Sequence, residues 1–78
     1  MSITVNVALH AILRDMTGRR DRFPVSLRPG SKVSDVLRMV GLSEGDVGMV
    51  VVRGRLVDRD YLLCDGTEID VFPPLSGG

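Results

Sequence analysis

Four apolar residues at helical spacing, Val33, Val36, Leu37 and Val40, form the clearest stripe in a chain of 78 residues, and the segments on both sides of it alternate instead. Spacing of i, i+3, i+4 and i+7 is one face of an α-helix. Pro29-Gly30 breaks the chain before it, Ser31 or Lys32 stands at the N-cap with Ser31 chemically the better cap, and Gly41 suits a left-handed stop. Asp35 in the first turn and Arg38 near the last both favour the helix dipole. In "ITVNVALHA", Ile3, Val5, Val7 and Leu9 take one phase and Thr4, Asn6, Ala8 and His10 the other, as in a strand with one buried face. "FPVSL", Phe23 to Leu27, reads as a second strand, and Pro24 puts it at an edge or at the strand's start. Met49–Val52 and Arg55–Val57 flank Arg53-Gly54, where Gly54 supplies the positive φ of a tight hairpin and Arg53 is a poorer choice than Asn. Tyr61 to Leu63 is a short turn that buries leucine, and after Asp65-Gly66 a last strand alternates Thr67, Ile69, Val71 with Glu68, Asp70, Phe72. Residues 10–22 could hold a turn of helix or a loop, and their pattern does not choose.

One helix this short of companions cannot be wrapped by other helices. It has to lie across a sheet. The expected fold is therefore α+β: a β-grasp domain with a mixed sheet of four to five strands and one main helix across one face. Residues 1–72 make the domain, and residues 73–78, "PPLSGG", an extended tail.

The bulk of the sequence excludes several roles. An apolar share of 44% is too high for disorder, and no run is long enough to span a membrane. Ten basic and ten acidic residues cancel, which removes the electrostatic term that dominates nucleic-acid binding. Phe23, Tyr61 and Phe72 are too few for a base-stacking platform. Cys64 is the sole cysteine, so neither a disulfide nor a metal set is expected, and in a leucine-flanked turn it reads as a small buried hydrophobe. Stability then rests on the core alone, about 3–5 kcal/mol at this size. His10 falls on the polar phase, with no Ser, Cys or carboxylate spaced to pair with it. Arg14, Arg19, Arg20 and Arg22, interleaved with Asp15 and Asp21, read as a solvated basic stretch that Arg53, Arg55 and Arg59 could extend. The start, "MSITVNVAL", has no basic or leader-like segment, which fits a cytoplasmic protein.

The ending carries the chemistry. Pro73 and Pro74 fix φ near −65° and keep Phe72 and Pro73 extended, so the last strand continues as a stiff stub. From Pro73 to Gly78 the chain can reach about 20 Å, at ~3.3 Å per residue. Side chains shrink along it, through Leu75 and Ser76 to Gly77 and Gly78, so its end fits a narrow tunnel. The carboxylate of Gly78 is sterically open. Adenylation would turn one of its oxygens into a leaving group, and a sulfur nucleophile could then attack the carbonyl. Gly78, assisted by the slender Gly77, is the expected reactive position. Phe72, Pro73, Pro74, Leu75 and Ser76 are the expected partner contacts, with Phe72 either offered outward or closing the core.

"LRDMTG", "PGSKVSDVLRMVGL", "VVVRGRLVD" and above all "LLCDGTEIDVFPPLSGG" resemble the MoaD/ThiS family of ubiquitin-like sulfur carriers over nearly the whole chain. The proline pair is more like the MoaD branch. Thr67, Lys32 and Arg53 depart from the family's usual Asp, Thr and Asn, and none of them touches the tail. The resemblance implies a protein co-substrate, not an enzyme. It binds no cofactor, and the ATP is used by an adenylating MoeB/ThiF-like partner. A cysteine desulfurase or rhodanese would supply sulfur to form a thiocarboxylate at Gly78. A MoaE-like subunit would then complete molybdopterin synthase, for molybdenum or tungsten cofactor. Sulfur delivery to thiamin, cysteine or tRNA thiolation, or conjugation to lysines, are the alternatives the same tail allows.

Overall fold

The computed structural model describes residues 1–75. Chain order is β1 (Ile3–Leu9), α1 (Ile12–Thr17), β2 (Phe23–Leu27), α2 (Val33–Met39), a 3-10 turn (Glu44–Asp46), β3 (Met49–Val52), β4 (Arg55–Val57) and β5 (Glu68–Phe72). The strands form one mixed sheet in the order β2-β1-β5-β3-β4. Only the central pair, β1 with β5, is parallel, in the register Val7 with Ile69 and Leu9 with Val71. This is the β-grasp arrangement.

The alternation in the sequence becomes the two faces of the sheet. Val5, Val7, Leu9, Val50, Val52, Ile69 and Val71 are all buried and share one core with Val33, Val36 and Leu37 of α2. β2 is an outer strand, where a proline ring lacking an N–H is tolerated, and Pro24 is exposed. At the β3–β4 hairpin both Arg53 and Gly54 have positive φ, 54° and 78°. That is the geometry whose twist suits a two-residue loop, and Arg53 adopts it without the help of a glycine's freedom.

Helix α2 is fixed at both ends by backbone. Its N-cap is Lys32, and the better-suited Ser31 instead donates its hydroxyl to the Arg28 carbonyl. Capping comes from the other direction: the Asp35 carboxylate accepts the Lys32 N–H at 2.8 Å. The free N–H groups of Val33 and Ser34 donate to the carbonyls of Tyr61 and Arg59. The segment before β5 therefore serves as a cap for the helix, besides burying Leu63. At the other end Gly41, at φ 86°, lets its own N–H reach the Arg38 carbonyl and the Leu42 N–H reach that of Leu37.

Two expectations needed the structure. Residues 12–17 are a helix. It buries a single side chain, Leu13, and Thr17 returns its hydroxyl to the Leu13 carbonyl. One buried residue is too little for a periodic stripe. Cys64 is exposed, not buried. The buried phase entering β5 belongs to Leu63 and Thr67, and the Thr67 hydroxyl accepts the Cys64 N–H, so the thiol lies outside the core.

Leu13 is fully buried. Leu13→Ala should lower the unfolding free energy by about 2–5 kcal/mol, read by urea denaturation. A loss below about 1 kcal/mol would mean that α1 is a surface appendage.

Candidate site at the root of the tail

β5 ends with a hydrogen bond on each side. The His10 N–H donates to the Val71 carbonyl at 3.0 Å, and the Gly48 N–H to the Phe72 carbonyl at 2.8 Å. The next two residues, Pro73 and Pro74, have no N–H and cannot extend either ladder. Exposure rises along the chain from there: Pro73 is half-buried, Pro74 exposed, and Leu75 retains 90% of its accessible surface. Ser76, Gly77 and Gly78, the expected partner contact and reactive positions, lie outside the described residues.

Phe72 does neither of the two things expected of it in full. It is not part of the core, yet it is only partly exposed. On the sheet face opposite the helix its ring stacks on His10, with centroids 4.4 Å apart and planes 7° from parallel. His10 also has a carboxylate partner after all. Its Nε2 lies 3.0 Å from Asp70 Oδ1, and the Arg22 guanidinium donates to the same oxygen at 2.9 Å. Arg22 donates in addition to the Asn6 carbonyl at 3.2 Å. The signal was the polar phase: His10, Asp70 and Phe72 share it, but only parallel pairing of the first and last strands puts them side by side.

The loop before β3 forms the other wall. The Ser43 N–H and hydroxyl both donate to Asp46 Oδ2, at 2.9 and 2.8 Å. Those two bonds hold the Asp46 carboxyl below the usual carboxylate range, the backbone N–H contributing more than the hydroxyl. Arg59 donates to the Val47 carbonyl at 2.9 Å and to Glu44 at 3.0 Å. It is therefore committed to this loop and does not extend a basic surface. Arg53 and Arg55 sit at the β4 edge, whereas the basic stretch leads into β2 at the opposite edge, so the two groups do not merge. Within the stretch, Arg20 pairs with Asp15 and Arg19 lies over the Phe23 ring at 4.4 Å.

Among the described residues, no group of three His, Cys, Asp or Glu is placed to hold a metal ion, and no helix is long and apolar enough to cross a membrane. Cys64 precedes β5 and Pro73 follows it, so the strand itself separates the thiol from the root of the tail. Among the described residues, the side chains hydrogen-bonded in the cluster at His10 are those of Asp70 and Arg22.

The model of the ThiS family matches residues 7–78. A Pyrococcus furiosus protein provisionally named molybdopterin converting factor subunit 1 superposes with a TM-score of 0.78 at 30% identity, over 95% of this chain and all of that one. SAMP1 from Haloferax volcanii superposes with a TM-score of 0.77 at 25% identity, over 96% and 99% of the two chains. A ubiquitin from Caldiarchaeum subterraneum, at 14% identity, a TM-score of 0.65 and full coverage of both chains, shares the fold.

The Ser43–Asp46 bonds favour the carboxylate over the carboxylic acid. A depressed folded-state pKa adds stability above the unfolded value, and that share is lost as pH falls through the folded one. In a carboxyl-carbon NMR titration Asp46 should titrate below an ordinary aspartate. Ser43→Ala should bring it only part of the way back, because the larger backbone bond survives. No change on substitution would mean the hydroxyl bond does not form in solution.

Proposed function

We propose, from the premise that this chain belongs to the ThiS family, that it carries sulfur on Gly78 for molybdopterin synthesis. The chain is a small, non-catalytic, ubiquitin-fold protein of the sulfur-carrier and modifier kind. Among the described residues, the side chain that His10 pairs with is the Asp70 carboxylate. The chemistry falls to partners, and the chain is their substrate.

In this reading an adenylating enzyme of the MoeB/ThiF type binds the domain and draws the tail into its own site. The Gly78 carboxylate attacks the α-phosphorus of ATP, pyrophosphate leaves, and an acyl-adenylate forms. A sulfur nucleophile, furnished by a cysteine desulfurase or rhodanese, attacks the unhindered carbonyl. AMP departs and leaves an acyl disulfide to the donor's cysteine; a second thiol then attacks the donor-side sulfur, forms a disulfide with it and releases the thiocarboxylate. Gly77 and Gly78 offer no Cβ to obstruct either attack. Phe72, Pro73, Pro74, Leu75 and Ser76 guide the tail, the prolines by stiffness and Leu75 by an apolar contact. A MoaE-like subunit then takes the charged tail and passes sulfur to the pterin.

The observation that carries the reading is the way β5 runs out. The last ladder bond is made at Phe72, two residues without an N–H follow, and Leu75 is already solvated. Similarity to the Pyrococcus furiosus protein supports molybdopterin as the destination. Similarity to SAMP1 favours a second reading, in which the same activated carboxylate is joined to lysines of other proteins.

Deleting Gly78, or adding one residue after it, should abolish chain-dependent ATP–pyrophosphate exchange by the adenylating enzyme. Circular dichroism and the melting temperature should stay unchanged, because the core is built from residues between Val5 and Val71. Exchange that persists in either variant would contradict activation at Gly78.

A further inference from the structure

Gly48 has an unusual reason to be glycine. It is absent from the residues with positive φ, so its backbone would accept an L side chain. What forbids one is the tail: a Cβ there would lie 2.5 Å from Pro74 Cα, 2.6 Å from the Pro73 carbonyl oxygen and 2.7 Å from Pro74 N. All three are backbone atoms, which cannot swing aside as a side chain would. Gly45, three residues earlier in the same loop, also lacks positive φ, and a Cβ on it would meet nothing within 4 Å.

The chain that presents Gly48 is held from several directions. Asp46 caps Ser43, Val47 is buried, and Arg59 clamps the Val47 carbonyl while bonding Glu44. The backbone of Arg59 in turn accepts the Ser34 N–H at the start of α2. The seat under Pro73–Pro74 is therefore tied to the helix as well as to the sheet.

We propose that Gly48 is a positioning residue for the tail: its bare Cα is the seat on which the Pro73–Pro74 backbone lies, and it sets the direction in which Leu75 and the residues after it leave the domain. The inference rests on the reading that Gly78 is the charged position. Ordinary contact begins at 3.4 Å, so a methyl group at residue 48 pushes the proline backbone outward by about 1 Å. The pivot lies four residues before Gly78, and two rigid prolines transmit the change. A misplacement of ~1 Å can lower a rate about 100-fold while the body of the domain that the partner recognises is untouched.

The test compares wild type, Gly48→Ala, Gly45→Ala and Arg59→Met in adenylation kinetics with the adenylating enzyme and ATP. Residual dipolar couplings of the amides from residue 75 onward are measured in parallel on the free chain. Arg59→Met leaves residue 48 unsubstituted and unclamps the loop, so it covers the case in which Gly48→Ala folds poorly. Gly48→Ala is expected to lower kcat by about 10- to 100-fold with KM within about twofold, and to change the tail couplings. Arg59→Met should move the same two readouts in the same direction, and Gly45→Ala neither. Unchanged couplings in Gly48→Ala overturn the proposal, as does wild-type kcat, and so does a loss confined to KM, which would make Gly48 a docking contact. If wild type itself is not charged, the carrier reading fails, and the couplings alone still decide whether Gly48 aims the tail.

Discussion

The parallel pairing of β1 with β5 at the centre of the sheet is the interaction on which the rest depends. It joins the beginning of the chain to its end, so every other element has to be accommodated between them. Parallel neighbours cannot be linked by a tight turn, and the long connection here carries the helix that covers their buried face. Val5, Val7, Ile69 and Val71, all fully buried, pack from these two strands. The same pairing fixes the functional geography. It sets His10 beside Phe72, closes the exit of β5 with the His10 N–H, and leaves Cys64 at the entrance of the strand.

Central strands that are held on both sides make a firm base for an extension. The last hydrogen bonds of β5 come from opposite neighbours, one from His10 and one from Gly48. Two prolines then end the pairing without softening the chain. This fits the proposed role of the domain as a handle: its ladder stops at Phe72, and Pro73–Pro74 carry the chain on from there. Such a division suits a protein that is acted upon, since partners can recognise the body and treat the tail as substrate.

Much of this was legible in the residues because it rests on local periodicity. Period-two alternation located β1 and β5 and named their buried sides, and the stripe at Val33, Val36, Leu37 and Val40 located α2. Gly54 marked the hairpin, although nothing local requires Arg53 to take a positive φ as well. Helix α1 was not legible, because Leu13 is its one buried side chain and a stripe needs several. Cys64 misled because flanking leucines suggest burial, whereas the turn gives the inward positions to Leu63 and Thr67. His10 with Asp70 lie 60 residues apart, and Gly48 meets Pro73–Pro74 only once β3 and β5 are paired. Contacts of that kind follow from topology, and single segments do not contain them.

The most direct measurement of the central claim is the intact mass of the chain isolated from its native cell. A population in which one oxygen of the Gly78 carboxylate has become sulfur is predicted, and it should disappear when the adenylating partner is removed. A chain found only with an unmodified terminus, or linked through that terminus to lysines of other proteins and never bearing sulfur, would contradict the account.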